Sequence, residues 1–140
     1  MEISKSLVDV FLLLRGDAID PDLVTEMLGV AATKSRVKGE LWQTSTKHEV
    51  AAKIGFWSLD SDAHSSSLSD HISCLRSKLE AARYLPLQIP GVDYAEISIF
   101  VAISDRNGGG SYESELTSVD LEWLGRLGVK ITVSFNCDSD

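Results

Sequence analysis

The amphipathic stretch Ser67–Tyr84 constrains the fold more than any other part of the chain. Leu68, Ile72, Leu75, Leu79 and Ala82 recur at helical steps, drawing one apolar stripe, while Asp70, Ser73, Arg76, Ser77, Glu80 and Arg83 fall mostly opposite. Ser67 suits an N-cap, and Asp70 suits the positive end of the helix dipole. Pro86 disfavours helix beyond Leu85. The spacing therefore predicts one long central helix over Ser67–Tyr84, roughly 25 Å long and able to cross one face of a small sheet.

Strand patterns supply that sheet. Leu7–Arg15 alternates Val8, Val10, Leu12 and Leu14 with Leu7, Phe11 and Leu13, apolar on both sides, as expected of an interior strand. Phe56–Leu59 is a short strand. In Tyr94–Ser104, Ile97, Ile99, Val101 and Ile103 share one face and Glu96, Ser98, Phe100 and Ala102 the other. The Asn107-Gly108-Gly109-Gly110 run predicts a hairpin tip leading to a strand over Ser111–Leu116. Val129–Asn136 closes the set, with Val129, Ile131, Val133 and Phe135 on one face.

Two shorter helices complete the expectation. Asp20 caps the first, Pro21 occupies its first turn and Gly29 ends it, with Leu23, Met27 and Leu28 buried. Thr117 or Ser118 caps the other, Leu121, Leu124 and Leu127 face inward, and Gly128 stops it. The similar runs ending Leu28-Gly29-Val30 and Leu127-Gly128-Val129 hint at two related β-α-β halves. Residues 31–55 are the least regular: Lys34, Arg36 and Lys38 would share one side of a strand, Leu41–Thr44 is a possible short strand, and Thr46–Ile54 reads as a loop or weak helical turn. The predicted class is α+β: a four- or five-stranded, largely antiparallel sheet with helices packed on one face.

The chain's 140 residues suit a single domain able to bury its own core. With neither a membrane-length apolar run nor a signal-peptide pattern at its start, the cytoplasm is the expected location. Cys74 and Cys137 form no metal or disulfide motif; Cys74 is expected to be a small buried hydrophobe and Cys137 a free thiol. Net charge is −8, with residues 31–55 at +3 between acidic flanks. That sign argues against direct binding of nucleic acid and favours a basic protein partner.

No residue set declares a reaction. Asp60-x-Asp62-x-His64 groups oxygen and nitrogen donors, but it lacks the additional ligands and spacing of a metal site, so no metal and no cofactor are expected. His48, His64 and His71 are acid–base candidates without an aligned Ser or Cys, and His71, beside the helix stripe, is expected to be a boundary residue between core and surface. The triple glycine lacks the Gly-Lys-Ser/Thr of a phosphate loop. The Lys34/Arg36/Lys38 comb lacks interleaved aromatics and reads as a solvated strand face. Trp57 and Trp123 read as core or boundary residues, and Trp42 as a possible contact.

The run Ile19-Asp20-Pro21-Asp22-Leu23 to Leu28-Gly29-Val30-Ala31-Ala32-Thr33, then Lys38-Gly39-Glu40, Trp57-Ser58-Leu59, the Leu68–Leu79 stripe and Leu124 to Leu127-Gly128-Val129 resemble a bacterial domain-of-unknown-function family, number forty-two seventy-nine. Ala32 stands where that family usually has proline. The resemblance implies a fold and carries no catalytic residues. In size, acidity and stand-alone architecture the chain also resembles immunity proteins of contact-dependent growth-inhibition systems, which bind a cognate toxin domain, often a nuclease.

The expectation is thus a non-enzymatic immunity protein. Its predicted partner contacts are Asp60, Asp62, Asp105, Glu113 and Glu115, with no membrane contact. The alternative is a small-ligand-binding or regulatory module with a pocket near Trp42 and Trp57. A weaker third reading is a metal-assisted enzyme at Asp60, Asp62 and His64.

Overall fold

The computed structural model describes residues 7–104 and 111–138. Five strands form the main sheet: β1 (Leu7–Gly16), β2 (Lys34–Arg36), β5 (Gly55–Asp60), β6 (Tyr94–Ser104) and β7 (Lys130–Asp138), in the order β2-β5-β1-β6-β7. Two more, β3 (Leu41–Gln43) and β4 (Glu49–Ala51), make a separate hairpin. β1, apolar on both sides, lies at the centre. All neighbouring pairs in the main sheet are antiparallel except β6 and β7, which run parallel around a helical crossover. The class is therefore α+β.

Three helices supply the second layer: α1 (Pro21–Leu28), α2 (Leu68–Lys78) and α3 (Ser118–Leu127). Register places Val8, Val10, Leu12 and Leu14 of β1 beside Trp57 and Leu59 of β5 and beside Ala95, Ile97, Ile99 and Val101 of β6, all on one face. These residues are buried with Val24 and Leu28 of α1, Ile72 and Leu75 of α2, and Leu124 and Leu127 of α3. The Trp57 indole N–H donates to Thr25 Oγ1 at 3.1 Å, pinning α1 onto β5. Fully removing such side chains from water stabilises the fold by roughly 2 kcal/mol each.

The central helix is shorter than its apolar stripe. Ser67 caps it as expected, but α2 ends at Lys78, and Leu79 leaves helical geometry with φ −96 and ψ 13. Beyond it, Glu80 N–H donates to the Ser77 carbonyl and Ala82 N–H to the Leu79 carbonyl, both three residues back. Successive tight turns keep Leu79 buried and Ala82 packed against the core, so the stripe continues without a helix. A step of three satisfies both conformations.

Other expectations fail at single residues. In α1 the buried side is Val24 and Leu28, with Leu23 and Met27 only half-buried. In α3 the inward face is Asp120, Leu124 and Leu127, while Leu121 is 55% exposed. Residues 49–51 form strand β4, where a loop or helical turn was expected, and residues 111–117 carry no strand. The glycine run 107–110 lies outside the described residues. The two β-α-β runs also differ: α3 joins adjacent parallel strands, whereas β1 and β2 are parallel with β5 between them.

At one end of the sheet the backbone itself is close-packed. Gly16 pairs with Gly55, and a Cβ on Gly16 would collide with the Gly91 carbonyl. Gly91 has φ +90, and a Cβ there would meet the Ala18 carbonyl at 2.5 Å. Glycine is required where these segments meet. No helix of the described residues is long and apolar enough to cross a membrane.

Candidate functional site

With α1, α2 and α3 contributing to the core on one side, no helix of the described residues covers the opposite face of the sheet. Register sorts that face into rows. At one end, Arg36 of β2 pairs with Phe56 of β5, Phe56 with Arg15 of β1, and Arg15 with Tyr94 of β6. The next row holds Lys34, Ser58, Leu13 and Glu96, and beyond it come Asp60, Phe11 and Ser98. Asp9 and Phe100 pair farther along. The face therefore grades from cations and aromatics, through an apolar centre, to carboxylates. Phe11, Leu13 and Phe56 are half-buried and Phe100 is 40% exposed. A groove of about 370 Å³ runs over Asp9, Phe11, Leu13, Lys34, Phe56 and Asp60.

The basic end is ordered by stacking. Arg15 lies with its guanidinium carbon 3.9 Å from the Tyr94 ring centre, and Lys130 Nζ is 4.7 Å from the same ring. Arg36 stacks at 4.3 Å on Trp42, which the β3–β4 hairpin supplies. The Tyr94 hydroxyl donates to the Glu96 carboxylate, buried in the adjoining row. Among the described residues, Arg15, Arg36, Lys34 and Lys130 have no carboxylate within ion-pair distance. Lys38, the third member of the sequence comb, is set apart by a 3.3 Å pair with Asp17. Aromatics do interleave with the other two members, but they come from β3 and β5, which local spacing does not reveal.

Four of the five predicted contact residues are described. Asp60 closes β5 half-buried, and Asp62 sits in the following loop, 73% exposed. The Lys78 ammonium, 3.1 Å from Asp62, is the main cause holding that carboxyl below its ordinary range, helped by the Cys74 thiol donating at 3.2 Å. Cys74 is half-buried, contrary to the buried role expected of it. Glu113 and Glu115 are exposed on an extended segment tied to the same region. The Tyr112 hydroxyl donates to the Ser66 carbonyl at 2.6 Å, and Leu68 N–H donates to Ser114 Oγ at 2.9 Å. These bonds bring the segment alongside the far end of the Asp60–Ser67 loop. Asp105 lies outside the described residues.

His71 is not a boundary residue. It is 2% exposed, with Nε2–H donating to the Ser65 carbonyl at 2.7 Å, which leaves Nδ1 to accept the Ser61 hydroxyl at 2.7 Å. Ala63 N–H donates back to Ser61 Oγ at 3.3 Å. The imidazole thus fixes the loop carrying Asp60 and Asp62. Asp60, Asp62 and His64 do not converge: no group of three metal-ligating side chains occurs among the described residues.

A second buried polar centre joins the helices. Asp120 Oδ2 accepts the Ser69 hydroxyl at 2.6 Å and Thr117 N–H at 2.9 Å, and Oδ1 pairs with Arg76 at 3.3 Å. Burial pushes its pKa up, but hydrogen bonds from Ser69 and Thr117, with Arg76, outweigh that and hold it below the ordinary carboxylate value. Trp42 and Trp57, expected to stand near one pocket, lie on opposite sides of the sheet. Trp57 is fully buried on the helix-covered side, whereas Trp42 belongs to a cavity of about 350 Å³ against Arg36 and Phe56 on the other.

The functional candidates that sequence reasoning missed are Phe11, Leu13, Arg15, Phe56 and Tyr94. The one local signal was the second alternation in β1, which ends on a cation. No curated protein and no solved structure matches this chain. The profile of one family, described as Domain of unknown function (DUF4279), matches residues 5–138. The chain belongs to that family.

Proposed function

We propose that this protein is a non-enzymatic cytoplasmic immunity protein. On this reading, it captures a cognate toxin domain of a contact-dependent growth-inhibition or related polymorphic toxin system on the uncovered face of its sheet. The observation that carries the reading is that face: Phe11, Leu13, Phe56 and Phe100 stand on it without a covering layer, flanked by charges of opposite sign. Aromatic and aliphatic anchors inside a charged rim are the ordinary anatomy of a protein–protein contact.

The acidic end gives the partner's chemistry. A nuclease must present a basic surface to nucleic acid, and a chain of net charge −8 attracts such a surface at long range. Asp9 and Asp60 would meet it on the sheet face, with Asp62, Glu113 and Glu115 steering from the loops alongside. Blocking the substrate-binding face of a toxin requires no catalytic residue on the inhibitor.

The test is co-expression with the toxin domain encoded beside this chain's own gene, read as survival and as affinity of the purified pair. Phe11→Ser with Leu13→Ser should abolish protection while the protein remains folded, with a modestly lowered Tm. Full protection and affinity in that double variant would remove the sheet face from the interface.

A further inference from the structure

We infer that the basic end of the uncovered face, where the β3–β4 hairpin leans on the sheet, is a binding site for a small aromatic anion: a planar ring bearing a phosphate or carboxylate. This goes beyond the protein-docking reading and, apart from Phe56, rests on different residues.

The first observation is an alternation that crosses four of the five strands. Arg36, Phe56, Arg15 and Tyr94 stand side by side on successive strands, and Lys130 of β7 reaches the Tyr94 ring at 4.7 Å. Cation and aromatic thus alternate across four strands, a width of roughly 14 Å, and Lys130, in register with Glu96, adds its ammonium from the next row.

The second observation is charge left uncompensated. Each of Lys38, Arg76 and Lys78 holds an aspartate within 3.3 Å. By contrast, Lys34, Arg36, Arg15 and Lys130 hold no carboxylate among the described residues. Lys47, Lys53, Arg83 and Arg126 likewise hold none among the described residues; what sets Lys34, Arg36, Arg15 and Lys130 apart is that register gathers them at one end of one sheet face. Glu96, the carboxylate in the neighbouring row, is already taken by the Tyr94 hydroxyl. In addition, the Arg15 Nε–H is buried without an acceptor. Arg15 does not itself line the hairpin cavity, so the cations that would hold an anion there are Arg36 and Lys53.

The third observation selects the rest of the ligand. Trp42, Val50, Ile54 and Phe56 wall the hairpin cavity of about 350 Å³, with Arg36 and Lys53 as its cations. That volume is within the range of small-molecule sites. An apolar cavity between two aromatic residues accepts a flat ring, and the cations hold its anionic group. Inorganic phosphate alone would leave the cavity unfilled, and an uncharged ring would leave the cations unpaired.

Isothermal titration calorimetry with 5′-AMP, indole-3-carboxylate, adenosine and inorganic phosphate tests this directly. Saturable binding of 5′-AMP or indole-3-carboxylate below about 1 mM is expected, with adenosine and phosphate at least tenfold weaker. Binding of 5′-AMP alone identifies the anion as a phosphate; binding of indole-3-carboxylate alone identifies a carboxylate. Arg36→Gln should weaken binding about tenfold or more, and Trp42→Leu should do the same. Phe11→Ser, outside the cavity, should leave it unchanged, and a thermal unfolding transition in each variant establishes that it is folded. The inference is overturned if neither charged ring saturates by about 1 mM, or if Arg36→Gln binds as the parent does.

Discussion

The two faces of one sheet carry the contrast that organises this molecule. Leu12 and Leu13 are neighbours on β1, yet Leu12 is 0% exposed beneath the helices while Leu13 is half-buried on the uncovered side. One face is apolar, and α1, α2 and α3 close it over β5, β1 and β6, while Ile131, Val133 and Phe135 of β7 stay exposed at its edge. The other mixes Phe11, Leu13 and Phe56 with Asp9, Asp60, Lys34, Arg15 and Arg36 in register. Covered positions answer to packing density, so nearly any polar intrusion there is destabilising. The uncovered face keeps apolar groups that folding alone does not require to be there, and such groups on a sheet face are what a partner recognises.

The largest expected effect sharpens that contrast within two residues. Leu12→Ala should destabilise the protein by about 3 kcal/mol, because it leaves a cavity in a closed core. Leu13→Ala should cost about 1 kcal/mol at most. Urea unfolding of the pair measures both; equal losses would mean that the two faces are equally closed.

Next comes the polar centre between α2 and α3. Asp120→Ala should cost about 3 kcal/mol, since it strands the Ser69 hydroxyl, Thr117 N–H and Arg76 together. Acid should act through the same group. The folded pKa of Asp120 is depressed, so its contribution is fully present above the unfolded carboxylate value of about 3.9 and is lost as pH falls through the folded value. Urea midpoints measured from pH 7 downward should fall most steeply below about pH 4 in the parent, and less in Asp120→Asn.

Smaller again is the effect of charge on association. Reversing Asp60, Asp62, Glu113 and Glu115 together should slow capture of a basic toxin domain about tenfold at low salt, with the difference shrinking as salt is added. Stability should change by less than about 0.5 kcal/mol for each exposed position. Stopped-flow association rates check this; an unchanged rate would detach the acidic loops from the docking path. The smallest effect is expected of Asp62→Asn alone, whose exposed pair with Lys78 contributes little to Tm.

The legible part of the fold is the part set by short-range chemistry. The Tyr94–Ser104 strand, the Asp20-Pro21 helix start, the Gly29 end and the Thr117 cap stand where the sequence places them. Failures share one cause, which is that a one-dimensional pattern does not say what lies opposite. Asp120, Leu124 and Leu127 mark as good a helical face as the leucines alone, and only Ser69 and Arg76 on another helix explain why the aspartate points in. The stripe past Leu79 fits tight turns as well as helix.

The candidate site was less legible than the fold. The sequence presents Asp60, Asp62, Asp105, Glu113 and Glu115 only as separate loop acids, and it takes the Tyr112 and Ser114 hydrogen bonds to show that the segments carrying Asp62 and Glu113 meet. The Arg36, Phe56, Arg15 and Tyr94 row draws on four strands whose order is not sequential. Register between distant strands is a tertiary property, and no spacing within one strand encodes it.

The most direct test of the account is the affinity of the purified toxin domain for two matched variants, one on each face. Phe11→Ser with Leu13→Ser should lose at least a hundredfold in affinity while remaining folded. Val119→Ser with Leu121→Ser, which removes exposed apolar groups from the helical layer, should bind as the parent does. The reverse pattern, with the helical variant crippled and the sheet variant intact, would contradict the claim that the uncovered face is the working surface.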